Sequence, residues 1–215
     1  MTKKYIINPA QEIYLKNLRK EKDKFILELE EYALQNKIPI LNWLAADFLE
    51  QLIKINRPKK VLEIGMAIGY SSIRIARSLR KKGILYTIEK SPKNIEEAKI
   101  NIEKSNLNDK IKILEGDAVD IMPKLEMKFD FIFLDADKED YEKLFHYSAM
   151  LLKKRGVIFI DNLLWHGNVA SKTVTKDMKK STQTIREFNK LFLNSEIFDS
   201  KIYPIGDGIG IGIKK

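Results

Sequence analysis

A doubly wound α/β sheet of seven strands, mostly parallel, is the architecture that this 215-residue sequence predicts. Two observations carry it. Five short apolar runs alternate with helical patterns, the arrangement of a parallel sheet covered on both faces. The last two strand-like runs then meet at Gly206-Asp207-Gly208, where Asp-Gly is a hairpin signal that makes this C-terminal pair antiparallel.

In chain order, residues 10–56 read as helical, and within them Trp43 to Ile53 carries apolar side chains at three- and four-residue spacing. Pro58 stops that helix. The parallel strands fall at 61–65, 84–89, 111–114, 129–134 and 157–160, with helices at 71–82, 91–105 and 138–154 between them. Ser91-Pro92 supplies an N-cap followed by proline at the first helical position. Beyond Asn162 a helix is expected at 183–194, with hairpin strands at 196–205 and 209–214. The length suits one domain, 1–215, in which helices of residues 1–57 cover the site and residues 58–215 form the core.

Composition narrows the function classes. Charges break every apolar run before the roughly 18 residues of a membrane span, so no membrane partner is expected. The start, Met1 to Pro9, is basic but lacks the apolar stretch of a signal peptide, which predicts a cytoplasmic protein. Without cysteine there is no disulfide or thiolate chemistry, and any metal must be held by oxygen or by His146 and His166. The net charge of +9, with pI ≈ 9.4, suits a polyanionic partner such as nucleic acid. Lysine supplies 32 of the 39 cationic residues, so a general compositional bias also accounts for part of the excess.

The residues that carry chemistry sit at strand ends. The first strand runs into Glu63-Ile64-Gly65-Met66-Ala67-Ile68-Gly69-Tyr70-Ser71, a glycine-bearing turn opening a helix, where backbone can approach a ligand closely. Its spacing departs from G-x-G-x-x-G, which disfavours a dinucleotide dehydrogenase. Glu89 ends the second strand, where an acid accepts hydrogen bonds from ribose hydroxyls. Asp117 follows the third strand, Asp135 and Asp137 the fourth, and Asp161-Asn162 the fifth. Ligands of an open α/β sheet bind beyond the carboxyl ends of its strands, so these side chains should converge on one crevice. Their oxygens are hard donors suited to Mg²⁺, Mn²⁺ or Ca²⁺. A nucleic-acid-binding module without catalysis would leave this acidic cluster unexplained and repulsive to phosphate.

Leu62-Glu63-Ile64-Gly65 through Gly69-Tyr70-Ser71, Glu89, Leu134-Asp135-Ala136-Asp137-Lys138, and Asp161-Asn162 through Val169 together resemble the motifs of the metal-dependent catechol and caffeoyl-CoA type O-methyltransferases. The resemblance runs from about Pro39 to the C-terminus. It implies a Rossmann-like methyltransferase sheet, S-adenosyl-L-methionine as cofactor, Mg²⁺ (or Mn²⁺) bound by Asp135, Asp161 and Asn162, and a homodimer. By the same resemblance Lys138 and Asp135 act at the attacking oxygen, and Leu41, Glu63, Gly65, Ser71, Glu89, Asp117, Ala118 and Asp135 hold the cofactor. Within the family, the stretch from Ile64 to Arg74 and the ending Pro204-Ile205-Gly206-Asp207-Gly208 are most similar to bacterial enzymes that methylate 5-hydroxyuridine in tRNA. That similarity implies conversion of a wobble 5-hydroxyuridine in the anticodon loop of tRNA to 5-methoxyuridine. The alternative acceptor is a small catechol or phenol. One departure is that the segment after Asp161-Asn162 reads Lys176-Asp177-Met178-Lys179-Lys180 where that subgroup carries an arginine run.

Lys138 has two candidate roles, general base or electrostatic stabiliser of the oxyanion. Trp165 either walls an aromatic acceptor or packs in the scaffold, and His146 belongs to a scaffold helix. Residues 171–186, with Lys172, Lys176, Lys179, Lys180 and Arg186 against Asp177, are the expected contact to a tRNA backbone.

Overall fold

The computed structural model describes residues 8–21 and 23–215, so the reading of the first seven residues lies outside it. The helical stretch at 10–56 is three helices: α1 (Pro9–Leu18), α2 (Lys24–Asn36) and α3 (Trp43–Asn56). Side-chain caps divide it. Asn8, Asp23 and Asn42 accept from the backbone N–H groups of Ala10, Phe25 and Leu44 at 2.9, 3.0 and 2.9 Å, satisfying donors that a helix start leaves open. Lys37 and Arg57, both at φ 55, close α2 and α3 in the left-handed conformation, ahead of Pro39 and Pro58.

The remaining elements are β1 (Lys60–Ile64), α4 (Tyr70–Ser78), β2 (Ile84–Glu89), α5 (Pro92–Lys104), β3 (Ile111–Glu115), the four-residue α6 (Ala118–Ile121), β4 (Phe129–Leu134), α7 (Tyr141–Leu151), β5 (Leu152–Ile160), α8 (Lys179–Leu193), β6 (Phe198–Tyr203) and β7 (Ile209–Lys214). The seven strands lie in the order β3-β2-β1-β4-β5-β7-β6. β1 to β5 pair in parallel, and β7 runs antiparallel to both β5 and β6.

Several boundaries differ from the sequence reading. The helix expected at 138–154 begins at Tyr141, after a single 3₁₀ turn at Lys138–Asp140, and ends at Leu151. β5 then starts five residues early, because Leu152 pairs with Phe129 before a bulge carries the register to Phe131 opposite Val157. The charged Lys153-Lys154-Arg155 inside that bulge hides the strand from an apolar-run criterion. α8 begins a turn earlier than read, since Thr182 joins Ile185, Phe188 and Phe192 on its buried stripe.

Strand side chains alternate between two cores. Val61, Leu85, Phe131, Phe133 and Phe159 face α2, α3, α4 and α5, whereas Leu62, Ile88, Ile132, Leu134 and Ile158 face α7 and α8. A buried polar network ties the N-terminal helices to α4. Arg74 donates to Tyr70 Oη at 2.8 Å and to Glu50 at 2.6 Å and pairs with Asp47, while Tyr70 donates to Glu30 at 2.5 Å. Arg19 closes the link with a bidentate pair to Glu30 at 2.6 and 2.8 Å. Among the described residues no helix is long and apolar enough to cross a membrane.

Candidate active site

From β1 the chain moves outward to β2 and β3 and then returns to β4 on the other side. The switch between β1 and β4 opens the crevice in which such sheets bind ligands. Gly65, at φ +92, lies there, and a Cβ on it would run into the carbonyl oxygen of Asp135. Gly69, at φ +86, caps α4 without a side-chain hydrogen bond and so leaves the first N–H groups of the helix for a ligand. Glu89 spans this turn. Its carboxylate accepts from the N–H groups of Met66 at 3.2 Å, Ala67 at 2.9 Å and Ser91 at 2.8 Å.

Glu63 is fully buried and accepts from Thr87 at 2.6 Å and from Ser72. Burial pushes its carboxyl up to about 7, opposed by the neighbouring hydroxyls of Ser71, Ser72 and Thr87 and assisted by the charge of Asp135. The other carboxylate oxygen, Oε1, is buried without a partner. Such an orphan, together with the glycine cradle and the open end of α4, fits a cofactor carrying an ammonium group and a carboxylate. Leu41 is buried in the same core cluster as Met66 and Ile68 of the turn. Asp117 caps α6 through the Val119 N–H at 2.9 Å. Lys90 lies 2.6 Å from Asp137 and 3.9 Å from Asp117, joining the ends of β2, β3 and β4.

On the other side of the crevice the oxygens of Asp135, Ala136, Tyr141 and Asn162 converge on one ammonium. Lys138 Nζ lies 2.5 Å from Tyr141 Oη, 2.7 Å from Asn162 Oδ1, 3.1 Å from the Ala136 carbonyl and 3.3 Å from Asp135 Oδ1. Four acceptors thus surround a group with three N–H donors. The Tyr141 O–H in turn donates to the Asp161 carbonyl at 3.1 Å, which fixes the phenol that holds the lysine. Asp161 is buried and its carboxyl is pushed up to about 8, by removal from water and then by the charge of Asp135, with Asp207 adding to the rise. Lys138 opposes that rise without cancelling it. A carboxyl held in this way gives up its proton readily only to a compensating positive charge, and the carboxylate and amide oxygens of the cluster fit a hard divalent cation. Among the described residues no three His, Cys, Asp or Glu side chains group as a metal site, so the expected set depends on the Asn162 amide.

The loop after β5 departs from ordinary backbone, with Asn162, Trp165, His166 and Gly167 at φ 62, 47, 54 and 79. This run brings the Trp165 ring within 5.8 Å of Lys138 Nζ, while the indole N–H donates to Ser181 Oγ at 3.2 Å. Trp165 thus stands beside Lys138 while also packing against the core between β4, β5, α7 and α8. His146 is exposed on α7, 3.9 Å from Glu142, and belongs to the scaffold. Tyr141 and Asp207 are two site residues that the sequence reading missed. Tyr141 follows Lys138 by three positions, a spacing that could have flagged it. Asp207 stands in the sequence as a turn former and as part of the ending Pro204 to Gly208, neither of which marks it as a site residue.

The basic segment is partly spent. Arg186 does not face solvent as a free cation: it donates to the carbonyls of Val169, Asn168 and Ser171 at 3.0, 3.2 and 2.6 Å, closing the loop after Trp165. Lys180 lies 2.7 Å from Glu139. Lys172, Lys176 and Lys179 are exposed. A separate groove of about 870 Å³ lies between α1, α3 and α4, lined by Leu15, Arg19, Trp43, Phe48 and Arg77, and contains none of the crevice carboxylates.

Comparison with known proteins gives the family. The family model described as O-methyltransferase matches residues 14–215. A catechol O-methyltransferase of Niastella koreensis is 34% identical over 177 residues, 78% of this chain and 79% of that protein. A caffeoyl-CoA O-methyltransferase of Populus kitakamiensis is 32% identical over 170 residues, 75% and 72% of the two chains. Among solved structures, an O-methyltransferase from Bacillus cereus in complex with SAH superposes with a TM-score of 0.84 at 29% identity, covering 96% of this chain and 97% of that one.

Proposed function

The chain belongs to this O-methyltransferase family, and on that premise we propose that it transfers the methyl group of S-adenosylmethionine to a hydroxyl of a small aromatic acceptor with two adjacent oxygens, such as a catechol. The observation that carries the reading is the ring of oxygens about Lys138 Nζ, contributed by Asp135, Tyr141 and Asn162 beside the buried Asp161. Two relatives named for catechol and caffeoyl-CoA substrates support the acceptor class.

Each side chain has a task in this reading. Glu89, already fixed by three backbone N–H groups, presents its remaining lone pairs to ribose hydroxyls. Gly65 and the start of α4 admit the amino-acid end of the cosubstrate, with the unpartnered Glu63 oxygen facing its ammonium. Asp135, Asp161 and Asn162 would hold a divalent cation. When bound, the cosubstrate supplies an electrophilic methyl and the cation lowers the pKa of an acceptor hydroxyl. Lys138, steadied by Tyr141, stabilises the developing oxyanion as an ammonium or, in its neutral amine form, accepts the proton of the acceptor hydroxyl. Trp165 walls the aromatic ring, and holding oxygen and methyl in line removes much of the entropic barrier.

A second reading, with a hydroxylated tRNA uridine as acceptor, rests on the exposed Lys172, Lys176 and Lys179 beside the loop after β5 and on the net charge of +9. Labelled S-adenosylmethionine offered with catechol, caffeoyl-CoA or bulk tRNA tests both. Label is expected in the phenols, in a chelator-sensitive manner. Label in tRNA alone would sink the small-acceptor reading.

A further inference from the structure

We propose that Asp207, in the turn between β6 and β7, is a positioning residue that selects which end of the Asn162 amide faces the cation site. The inference rests on the metal reading above. Asn162 Nδ2 donates to Asp207 Oδ2 at 3.4 Å, and Asn162 Oδ1 points the other way, 2.7 Å from Lys138 Nζ. A primary amide has two ends of nearly the same shape and opposite hydrogen-bonding character, and only its oxygen binds a cation. A carboxylate beyond the nitrogen end accepts without donating, so it favours the orientation that turns the oxygen inward. The Lys138 ammonium favours the same orientation from the oxygen side, and Asp207 is the group that holds it from the nitrogen side.

Asp207 is itself held from several directions. Its Oδ1 accepts the His166 N–H at 2.6 Å, and the His166 ring nitrogen Nδ1 lies 3.4 Å from Oδ2. The Asp207 and Gly208 carbonyls accept from the N–H groups of Leu164 and Leu163 at 2.8 and 2.9 Å. Glycines flank it for steric reasons. At Gly208, φ +88, a Cβ would come within 2.7 Å of the Leu164 nitrogen, and at Gly206, φ +58, within 3.2 Å of the Ala45 Cβ at the start of α3. The turn is wedged between α3 and the left-handed loop, and Asp207 holds Asn162 from 45 positions away in sequence.

Mn²⁺ binding to the full chain in the presence of S-adenosylhomocysteine, followed by the electron-spin-resonance signal of free Mn²⁺, tests this without turnover. Asp207→Asn is expected to weaken Mn²⁺ binding by about 10–100-fold, the range for residues that orient metal ligands, and to leave S-adenosylhomocysteine affinity unchanged. In an Asn162→Asp background the ligand has two equivalent oxygens and Asp207 becomes a neighbouring like charge. There Asp207→Asn should weaken Mn²⁺ binding far less, because only the attraction of a nearby anion is lost and no amide has to be oriented. Should Asp207→Asn fail to bind S-adenosylhomocysteine, Asp207→Ser, which keeps an acceptor for the His166 N–H, takes its place in both backgrounds. Equal losses in the two backgrounds, or none in either, would overturn the positioning role. A wild-type chain that binds no Mn²⁺ would overturn the metal reading and this inference with it.

Discussion

Gly65 and Asp135 close the switch point by backbone alone: a Cβ at Gly65 would occupy the space of the Asp135 carbonyl oxygen, and the φ of +92 is one that L side chains rarely adopt. Asp135 also bonds through its N–H to the Ile64 carbonyl at 3.0 Å, so the two turns cannot simply part. Gly65→Ala should therefore destabilise the fold by at least the roughly 1–3 kcal/mol of a strained backbone and weaken S-adenosylhomocysteine binding. Thermal unfolding and calorimetry measure both. An unchanged melting point would contradict the close approach.

Glu89 lies on the next strand end and makes a different prediction. Glu89→Gln keeps one acceptor for the turn but loses the charge, and Glu89→Ala frees the N–H groups of Met66, Ala67 and Ser91 as well. Affinity for S-adenosylhomocysteine should fall by about 1–3 kcal/mol, more for alanine than for glutamine. Calorimetry giving wild-type affinity for both folded variants would remove Glu89 from the cofactor site.

What the sequence disclosed and what it hid divide along physical lines. Glu89, Asp135, Asp161 and Asn162 were legible because each follows an apolar run, and a strand end in a parallel sheet has one functional side. Asp207 was not, since its role depends on a loop 45 positions away and Asp-Gly already had a sufficient local explanation as a turn. The early start of β5 was masked by the charges of its bulge, and the division of the N-terminal stretch into three helices rests on caps at Asp23 and Asn42 that an apolar-spacing criterion does not weigh. Arg186 looked like a surface cation because sequence gives no sign that three carbonyls would turn towards it.

Glu63 sets a pH dependence in the metal-free, cofactor-free protein. Its folded-state carboxyl is pushed up to about 7 from the ordinary 4.5, so the folded chain binds the proton more tightly than the unfolded chain does. The stability this contributes is fully present below the ordinary carboxylate range and is lost as pH rises through about 7. Asp161, pushed up to about 8, acts with the same sign. Glu63→Gln, which mimics the protonated form, should flatten part of that decline. Denaturant midpoints from about pH 5 to about pH 8 compare the two proteins, and parallel curves would show that Glu63 does not titrate in this window.

Activity should also depend on a divalent cation. Chelator is expected to abolish methyl transfer to catechol, with Mg²⁺ or Mn²⁺ restoring it, because the oxygens of Asp135, Asp161 and Asn162 are hard donors gathered at one place beside Lys138. Asp161→Ala should lose Mn²⁺ binding while retaining S-adenosylhomocysteine. Undiminished turnover by Asp161→Ala after metal removal would exclude the assignment.

The exposed cations of the segment before α8 separate the two acceptor readings. Lys172, Lys176 and Lys179 face solvent, whereas Lys180 pairs with Glu139 and Arg186 is bound to carbonyls, so a triple Gln variant at the first three removes charge without cutting an internal bond. KM for catechol should not change. If a single-stranded tRNA loop passes this surface, each lysine–phosphate pair removed should flatten the dependence of log affinity on log salt by up to about 0.7, because pairing with phosphate releases counterions. Affinity for S-adenosylhomocysteine should stay constant in either case. Binding of unmodified tRNA across a salt series, compared between wild type and the triple variant, gives the answer. A flatter line for the variant would make the segment a nucleic-acid-binding surface, and superimposable lines with unaltered catechol turnover would confine the acceptor to the crevice between Lys138 and Trp165.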